Sequence, residues 1–142
     1  LGRDFAVAIS PRAQWGWNPL LSFEEFTAGS YTVGRGYDPA IISGDSGLGV
    51  AVELRGPRLP FARNRIAAQP FLFGDAAWVW NKQVSGDPEH VKSVGGGIRA
   101  AFADRVALDA ALAVPLEKAG PDNKRGDARF LMTLTTRLLP WR

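Results

Sequence analysis

Residues 105–116 read RVALDAALAVPL, and their alternation decides the fold. Val106, Leu108, Ala110, Leu112, Val114 and Leu116 fall on one side, and Arg105, Ala107, Asp109, Ala111, Ala113 and Pro115 on the other. A period of two residues is that of a β-strand, whose successive side chains point to opposite faces. One face is unbroken aliphatic surface. The other sets charges among very small side chains. The run is also long: soluble strands average about 5–6 residues, whereas about 9–11 tilted residues cross a bilayer.

The same pattern recurs outward in both directions. Lys92 to Ala103 sets Val94, Gly96, Ile98, Ala100 and Phe102 against Ser93, Gly95, Gly97, Arg99 and Ala101, and Ala103-Asp104-Arg105 reads as a tight turn. Ala67 to Trp80 sets Pro70, Leu72, Gly74, Ala76, Trp78 and Trp80 against Gln69, Phe71, Phe73, Asp75, Ala77 and Val79. Gly47 to Arg55 sets Leu48, Val50, Val52 and Leu54 against Gly49, Ala51, Glu53 and Arg55. Phe5 to Trp17 alternates an apolar set ending in Trp15 and Trp17 with Ala6, Ala8, Ser10, Arg12, Gln14 and Gly16. Downstream, Ala128 to Leu139 sets Phe130, Met132, Leu134, Thr136 and Leu138 against Arg129, Leu131, Thr133, Thr135 and Arg137. A long connection from Gly56 to Ile66, a polar loop from Asn81 to Val91 and a charged loop from Glu117 to Asp127 join these strands.

The two faces differ in kind. The polar one carries Arg12, Glu53, Arg55, Asp75, Arg99, Arg105, Asp109, Arg129 and Arg137 amid Gly, Ala, Ser and Thr. Arginine amid tiny residues fits a crowded polar lumen better than a face in bulk water. Trp15, Trp17, Trp78 and Trp80 fall at one end of the apolar face and Trp141 at the other, the pattern of an aromatic membrane girdle. The predicted fold is therefore all-β: an antiparallel up-and-down transmembrane β-barrel, with six strands and a long inserted loop. Since the smallest bacterial single-chain barrels have about eight strands, residues 1–142 are expected to be one part of a larger barrel or to assemble with copies of themselves. The start, Leu1-Gly2-Arg3-Asp4, has no signal-peptide character and reads as a segment of a longer chain.

The inserted loop spans Asn18 to Gly47 and carries Leu20, Leu21, Phe23, Phe26, Tyr31, Val33, Tyr37, Ile41 and Ile42. Loops beyond about 15 residues are uncommon and usually functional, and one so apolar must pack on something. Ser22-Phe23-Glu24-Glu25 fits a helix-capping box and predicts a short helical turn. At the loop's centre stands Val33-Gly34-Arg35-Gly36-Tyr37, a single cation between glycines. This loop is expected to fold back into the lumen and plant Arg35 there, and strand parity places the carboxylate of Asp75 on the same lumenal face. A guanidinium and a carboxylate fit through two parallel hydrogen bonds.

Composition closes off other classes. The chain is 46% hydrophobic and 22% charged, with 17 basic against 14 acidic residues, a pI of about 9.7 and no cysteine. Disulfides, thiolate metal sites and cysteine nucleophiles are excluded. His90, the single histidine, sits in a predicted polar loop, so metal clusters and Ser-His triads lack parts. Gly47-x-Gly49 and Gly95-Gly96-Gly97 precede no helix and no Gly-Lys-Ser/Thr, so they are not phosphate loops. Arginines spaced through strands make no nucleic-acid stripe. No enzyme, cofactor or metal is expected.

Leu21-Ser22-Phe23-Glu24-Glu25-Phe26, Val33-Gly34-Arg35-Gly36-Tyr37, Gly44-Asp45-Ser46-Gly47 and Glu53-Leu54-Arg55 together resemble the C-terminal barrel of two-partner secretion transporters. These are of the hemolysin-activator or filamentous-hemagglutinin-secretion type, in the Omp85 superfamily. Phe73-Gly74-Asp75-Ala76-Ala77 resembles that superfamily's Phe-x-Asp-x-Gly barrel-wall motif, with Ala77 in place of the glycine. The resemblance implies a sixteen-stranded bacterial outer-membrane barrel preceded by periplasmic POTRA domains, of which this chain holds the last six strands. It implies that Arg35 is the loop-tip arginine and Asp75 the acidic wall residue it meets, and that an unfolded partner protein is exported to the cell surface without nucleotide hydrolysis. Outer-membrane lipid and the barrel-assembly machinery are the other implied partners. The competing reading is a soluble all-β binding domain with an Arg-centred recognition loop, in which the tryptophans pack at the edges of a core.

Overall fold

The computed structural model describes residues 5–61, 65–83, 86–102, 105–120 and 125–137. Its strands are β1 (Ala6–Gln14), β2 (Phe26–Ala28), β3 (Ile42–Gly44), β4 (Ser46–Arg55), β5 (Leu59–Phe61), β6 (Ile66–Trp80), β7 (Glu89–Phe102), β8 (Val106–Pro115) and β9 (Arg129–Thr136). One antiparallel sheet runs β1-β4-β6-β7-β8-β9, with β5 also on β6, and β2 and β3 form a separate pair. No helix occurs among the described residues. Neighbours in the sheet are neighbours in sequence once the β2–β3 loop is set aside, which is the up-and-down order that alternating strands predict. The sheet is open, with β1 and β9 at its edges.

The connection from Gly56 to Ile66 is not the long loop expected. β4 pairs with β6 over Phe71–Trp80, and β5 pairs with it over Ile66–Ala68, both antiparallel. They form one long strand interrupted at Gly56-Pro57-Arg58. The break sits opposite Pro70, whose carbonyl accepts from the Gly56 N–H at 2.8 Å. In an antiparallel strand a residue's N–H and C=O point to the same neighbour, so the donor that proline lacks falls at the interruption. The connection proper is then 62–65, between the end of β5 and the start of β6. Likewise β7 begins at Glu89, so Glu89, His90 and Val91 belong to a strand and not to the polar loop. The short connections, 62–65 and 103–105, lie at one end of the sheet. The long ones, 15–45, 81–88 and 116–128, lie at the other. Outer-membrane barrels pair short periplasmic turns with long extracellular loops in this way.

Side-chain exposure follows the predicted parity. Along β4 the lumenal set Gly49, Ala51 and Glu53 is buried while Leu48, Val52 and Leu54 are exposed. Along β6 Phe71, Phe73, Asp75, Ala77 and Val79 are buried while Pro70, Leu72 and Trp80 are exposed. Leu112, Phe130, Met132 and Leu134 are each more than half exposed. A soluble sandwich would seal these side chains. Here the buried side is the one carrying charges, as it is for a wall whose outer face meets hydrocarbon. Leu112→Arg, mid-strand on the outer face, is accordingly expected to cost about 2–4 kcal/mol in lipid. Urea titration of the full-length barrel in vesicles would show this, with Leu112→Phe close to wild type.

The tryptophans occupy the long-loop end. Trp80 pairs with Ser46 and Trp78 with Leu48. Trp15 and Trp17, just past β1, pack edge to face with ring centroids 6.4 Å apart. Trp141, Leu138 and Leu139 lie outside the described residues, as do Ala103 and Asp104 of the predicted tight turn; its closing bond, Arg105 N–H to the Phe102 carbonyl, is present at 3.0 Å.

Candidate functional site

The inserted loop lies over the charge-bearing face of the sheet. The predicted helical turn at Ser22 is a single hydrogen-bonded turn, Glu24 N–H to the Leu21 carbonyl at 2.7 Å. Beyond it the loop doubles back as the β2–β3 ladder, an element the sequence reading missed because three-residue strands show no period. Phe26, Ala28, Val33, Tyr37 and Ile42 from the loop join Ala51, Ala77, Val79 and Val91 from the wall in one buried cluster. The loop's apolar residues are thus accounted for: they cover the glycine- and alanine-rich strip of β4 and β6. Phe26 takes the space that a side chain at Gly47 would need, its ring carbon standing 2.2 Å from where that Cβ would be.

At the tip, residues 34–37 form a tight turn closed by Tyr37 N–H to the Gly34 carbonyl at 2.9 Å. The two glycines flanking Arg35 serve different ends. Gly34 has φ +82°, a left-handed conformation that favours glycine. Gly36 is required by proximity, since a Cβ there would stand 2.7 Å from the Pro115 backbone nitrogen and 3.0 Å from the Ser93 Cβ. The turn therefore seats directly on β7 and β8.

Arg35 and Asp75 are brought together. Asp75 Oδ1 accepts from Arg35 Nη2 at 2.8 Å, and Oδ2 from Nε at 2.9 Å and from the Arg35 backbone N–H at 3.2 Å. Ser93 Oγ donates to the same Oδ2 at 3.3 Å. Phe73 lies beneath the guanidinium, its ring centroid 3.5 Å from Cζ. Arg35 is 9% exposed and Asp75 4%. Tyr37 is fully buried; its hydroxyl lies 2.9 Å from the Lys92 carbonyl and 3.0 Å from the Glu117 carbonyl, and accepts from the Glu117 N–H at 3.1 Å.

A second cluster adjoins the first through Glu53. Its carboxylate accepts from Arg99 Nη1 at 2.6 Å and Nη2 at 2.9 Å, from Arg55 Nε at 2.7 Å, and from Arg35 Nη1 at 3.4 Å. Arg99 Nε donates to Asp109 at 2.8 Å, and its guanidinium lies 4.2 Å from the Phe71 ring centroid. Strand parity put Glu53, Arg55, Arg99 and Asp109 on the lumenal face. Their junction at Glu53 was not foreseen, because it depends on register: Glu53 faces Phe73, which faces Gly95. A Cβ at Gly95 would come within 2.5 Å of the Phe73 ring, and one at Gly97 within 2.8 Å of the Phe71 ring. Gly95 and Gly97 thus each make room for an aromatic ring, and each ring carries a guanidinium. Ala77, in the glycine position of the wall motif, is fully buried within the apolar cluster.

The loop's return point is fastened by Asp45. Its buried carboxylate accepts from the Lys82 N–H at 2.6 Å and the Leu20 N–H at 2.5 Å, and these bonds hold its pKa below the usual carboxylate value. A depressed native pKa contributes stability that is present above about pH 4 and is lost as pH falls through the folded value. The protection of Leu20 and Lys82 amides from hydrogen exchange, taken relative to their intrinsic rates, is expected to fall as pH drops from about 6 toward about 3. In Asp45→Asn the two amides should exchange faster throughout, with that extra step gone. His90 lies at the start of β7 and not in the expected loop; it is exposed, with Nε2 3.4 Å from Glu117 Oε2. Among the described residues no group of acidic and histidine side chains could hold a metal ion.

No curated protein and no solved structure matches the chain. A family model does, that of the haemolysin secretion/activation protein ShlB/FhaC/HecB, over residues 2–100. That span takes in β1, the whole inserted loop, the Glu53 and Asp75 strands and Arg99. The chain therefore belongs to the ShlB/FhaC/HecB family, whose members are two-partner secretion transporters of the bacterial outer membrane and not enzymes.

Proposed function

We propose that this chain forms the C-terminal wall of an outer-membrane pore that exports an unfolded partner protein to the cell surface. In this reading the loop from about 18 to 47 is latched inside the lumen by Arg35 on Asp75. The carrying observation is the bidentate contact of a loop-tip guanidinium with a wall carboxylate, on a sheet whose opposite face is apolar and exposed. The other strands of the parent barrel, following its POTRA domains, would pair with the open edges of β1 and β9, because an unpaired edge in hydrocarbon costs several kcal/mol per backbone group. The outer face would contact lipid, the tryptophans would sit at the headgroup level, and the barrel-assembly machinery would insert the whole.

The geometry supports transport by positioning. Binding free energy from Arg35, Tyr37 and the apolar cluster holds the loop against β4, β6 and β7. An open groove of about 890 Å³ is left beside it, lined by Tyr31, Arg35, Arg99, Asp109 and Thr133. An extended polypeptide could pass along that groove without unfolding the wall, and no step calls for bond chemistry. The full-length transporter, expressed in a strain lacking its own copy, should release the partner protein encoded with it into the medium. Retention of that partner in the periplasm, despite correct barrel insertion, would overturn the reading.

A further inference from the structure

The sheet is electrically lopsided along its strand axis. Among the described residues, the short-turn end carries Arg55, Arg58, Arg65, Arg105 and Arg137 and no Asp or Glu. The long-loop end carries Glu24, Glu25, Asp38, Asp45, Asp87, Glu89, Glu117 and Asp127 against Lys82, Lys92, Lys118, Arg125 and Arg129. Arg55 is engaged by Glu53. Arg58, Arg105 and Arg137 have no ion pair among the described residues and are exposed.

Three of these arginines face inward. Arg105 and Arg137 lie side by side, Arg137 N–H donating to the Arg105 carbonyl at 2.8 Å, and they line a depression of about 420 Å³ with the lumenal residues Ala101, Ala107 and Thr135. Arg58, at the β4–β5 interruption, lines a second of about 280 Å³ with Gln69, Arg99 and Asp109. The two share Ala101, Ala107 and Thr135, and the second shares Arg99, Asp109 and Thr133 with the larger groove that reaches Arg35. The depressions therefore join into one path: Arg105 and Arg137 at the mouth, Arg58 next, Arg99 deeper, Arg35 at the end. As far as Arg99 the path is lined mainly by Ala, Thr and Gln, which give a polypeptide little to adhere to, and beyond it Tyr31, Phe71 and Leu131 join the lining.

We infer that this stepped arginine path is the contact surface for the transported chain, and that it takes extended polypeptide segments bearing Asp or Glu side chains. The inference rests on the transport reading and names the chemistry of its substrate. A guanidinium fork receives a carboxylate in two parallel hydrogen bonds. Exposed ion pairs are individually weak, and passage needs sites favourable enough to enter yet weak enough to leave. At the deep end Arg99 and Arg35 already hold Asp109, Glu53 and Asp75, so an arriving carboxylate meets partners it cannot easily displace. The path draws acidic segments in without trapping them. An anionic lipid headgroup has the same charge, but these arginines line the lumenal face and not the apolar one.

The test uses the full-length transporter in planar bilayers of neutral phosphatidylcholine, with a glutamate-rich peptide as probe and its glutamine counterpart as control. The glutamate peptide should produce transient current blocks that shorten as salt rises, and the glutamine peptide should produce few. Arg58→Gln/Arg105→Gln/Arg137→Gln together should shorten the blocks by about tenfold, since each exposed pair is worth only a fraction of a kcal/mol. The triple variant's heat-modifiable migration would verify barrel assembly. Equal blocking by the two peptides, or unchanged blocks in the assembled variant, would overturn the inference while leaving partner export intact. So would a variant that loses only its binding to phosphatidylglycerol vesicles, which would mark a lipid contact. A wild-type transporter that exports nothing would remove the transport reading itself and the inference with it.

Discussion

Arg35→Ala in the full-length transporter is expected to free the inserted loop and abolish export of the partner protein. The substitution removes the guanidinium but leaves Asp75 with a fully buried side chain, holding only the Ser93 hydroxyl and the residue-35 N–H. Breaking a buried pair by deleting one partner costs roughly 3–5 kcal/mol, because an uncompensated charge remains. That penalty falls on the loop's attachment to the wall more than on the wall, whose ladders β4–β6 and β6–β7 are untouched. A thiol reagent directed at a Val33→Cys substitution, at a position buried in the parent, should therefore reach the loop in Arg35→Ala and not in the parent, while the barrel still migrates as folded. Arg35→Lys should recover little: an ammonium cannot span both Asp75 oxygens in the fork geometry or lie flat on Phe73. Asp75→Ala should resemble Arg35→Ala. If both variants export normally and keep the loop protected, the latch has no role in transport.

Tyr37→Ala is expected to match that effect by a different route. The side chain is fully buried between the loop and β7 and β8, and removing a buried aromatic ring costs about 3–5 kcal/mol through lost burial and the cavity left behind. Tyr37→Phe separates the two contributions. It keeps the ring but leaves the Glu117 N–H without its acceptor and takes a hydroxyl from the Lys92 and Glu117 carbonyls, for about 1–3 kcal/mol. Loop protection should thus fall in the order parent, Tyr37→Phe, Tyr37→Ala, read as protease accessibility against urea. Combined with Arg35→Ala, either change should be less than additive, since a loop already released has nothing further to lose.

The wall was legible because its signal is local. A strand with hydrocarbon on one side and a packed lumen on the other repeats every two residues, and that repeat named the outward set Leu48, Leu72, Leu112 and Leu134 and the inward set Glu53, Asp75, Arg99 and Asp109. Where the period weakened, the reading slipped. The strand through Gly56 looked ended by Gly-Pro but resumes as β5, because Pro70 on the neighbouring strand has no N–H that would need an acceptor there. Glu89 and His90 looked like loop because both are polar, yet they sit at the end of β7 and pair with Val79 and Trp78. The β2–β3 ladder, three residues a side, is too short to show a period at all.

The amino-acid order by itself determined the strand faces, the long apolar loop, the cation at its tip and the wall carboxylate that parity turned toward it. These follow from side-chain chemistry at fixed spacing along one chain. Only the tertiary structure decided the register, and with it the junction of Arg35, Arg55 and Arg99 on Glu53, the seating of Phe71 and Phe73 on Gly97 and Gly95, and the joining of Arg58, Arg105 and Arg137 into one path. Sliding one strand past another by two residues keeps every face intact and changes every cross-strand partner. No property of a single strand can report which partners meet.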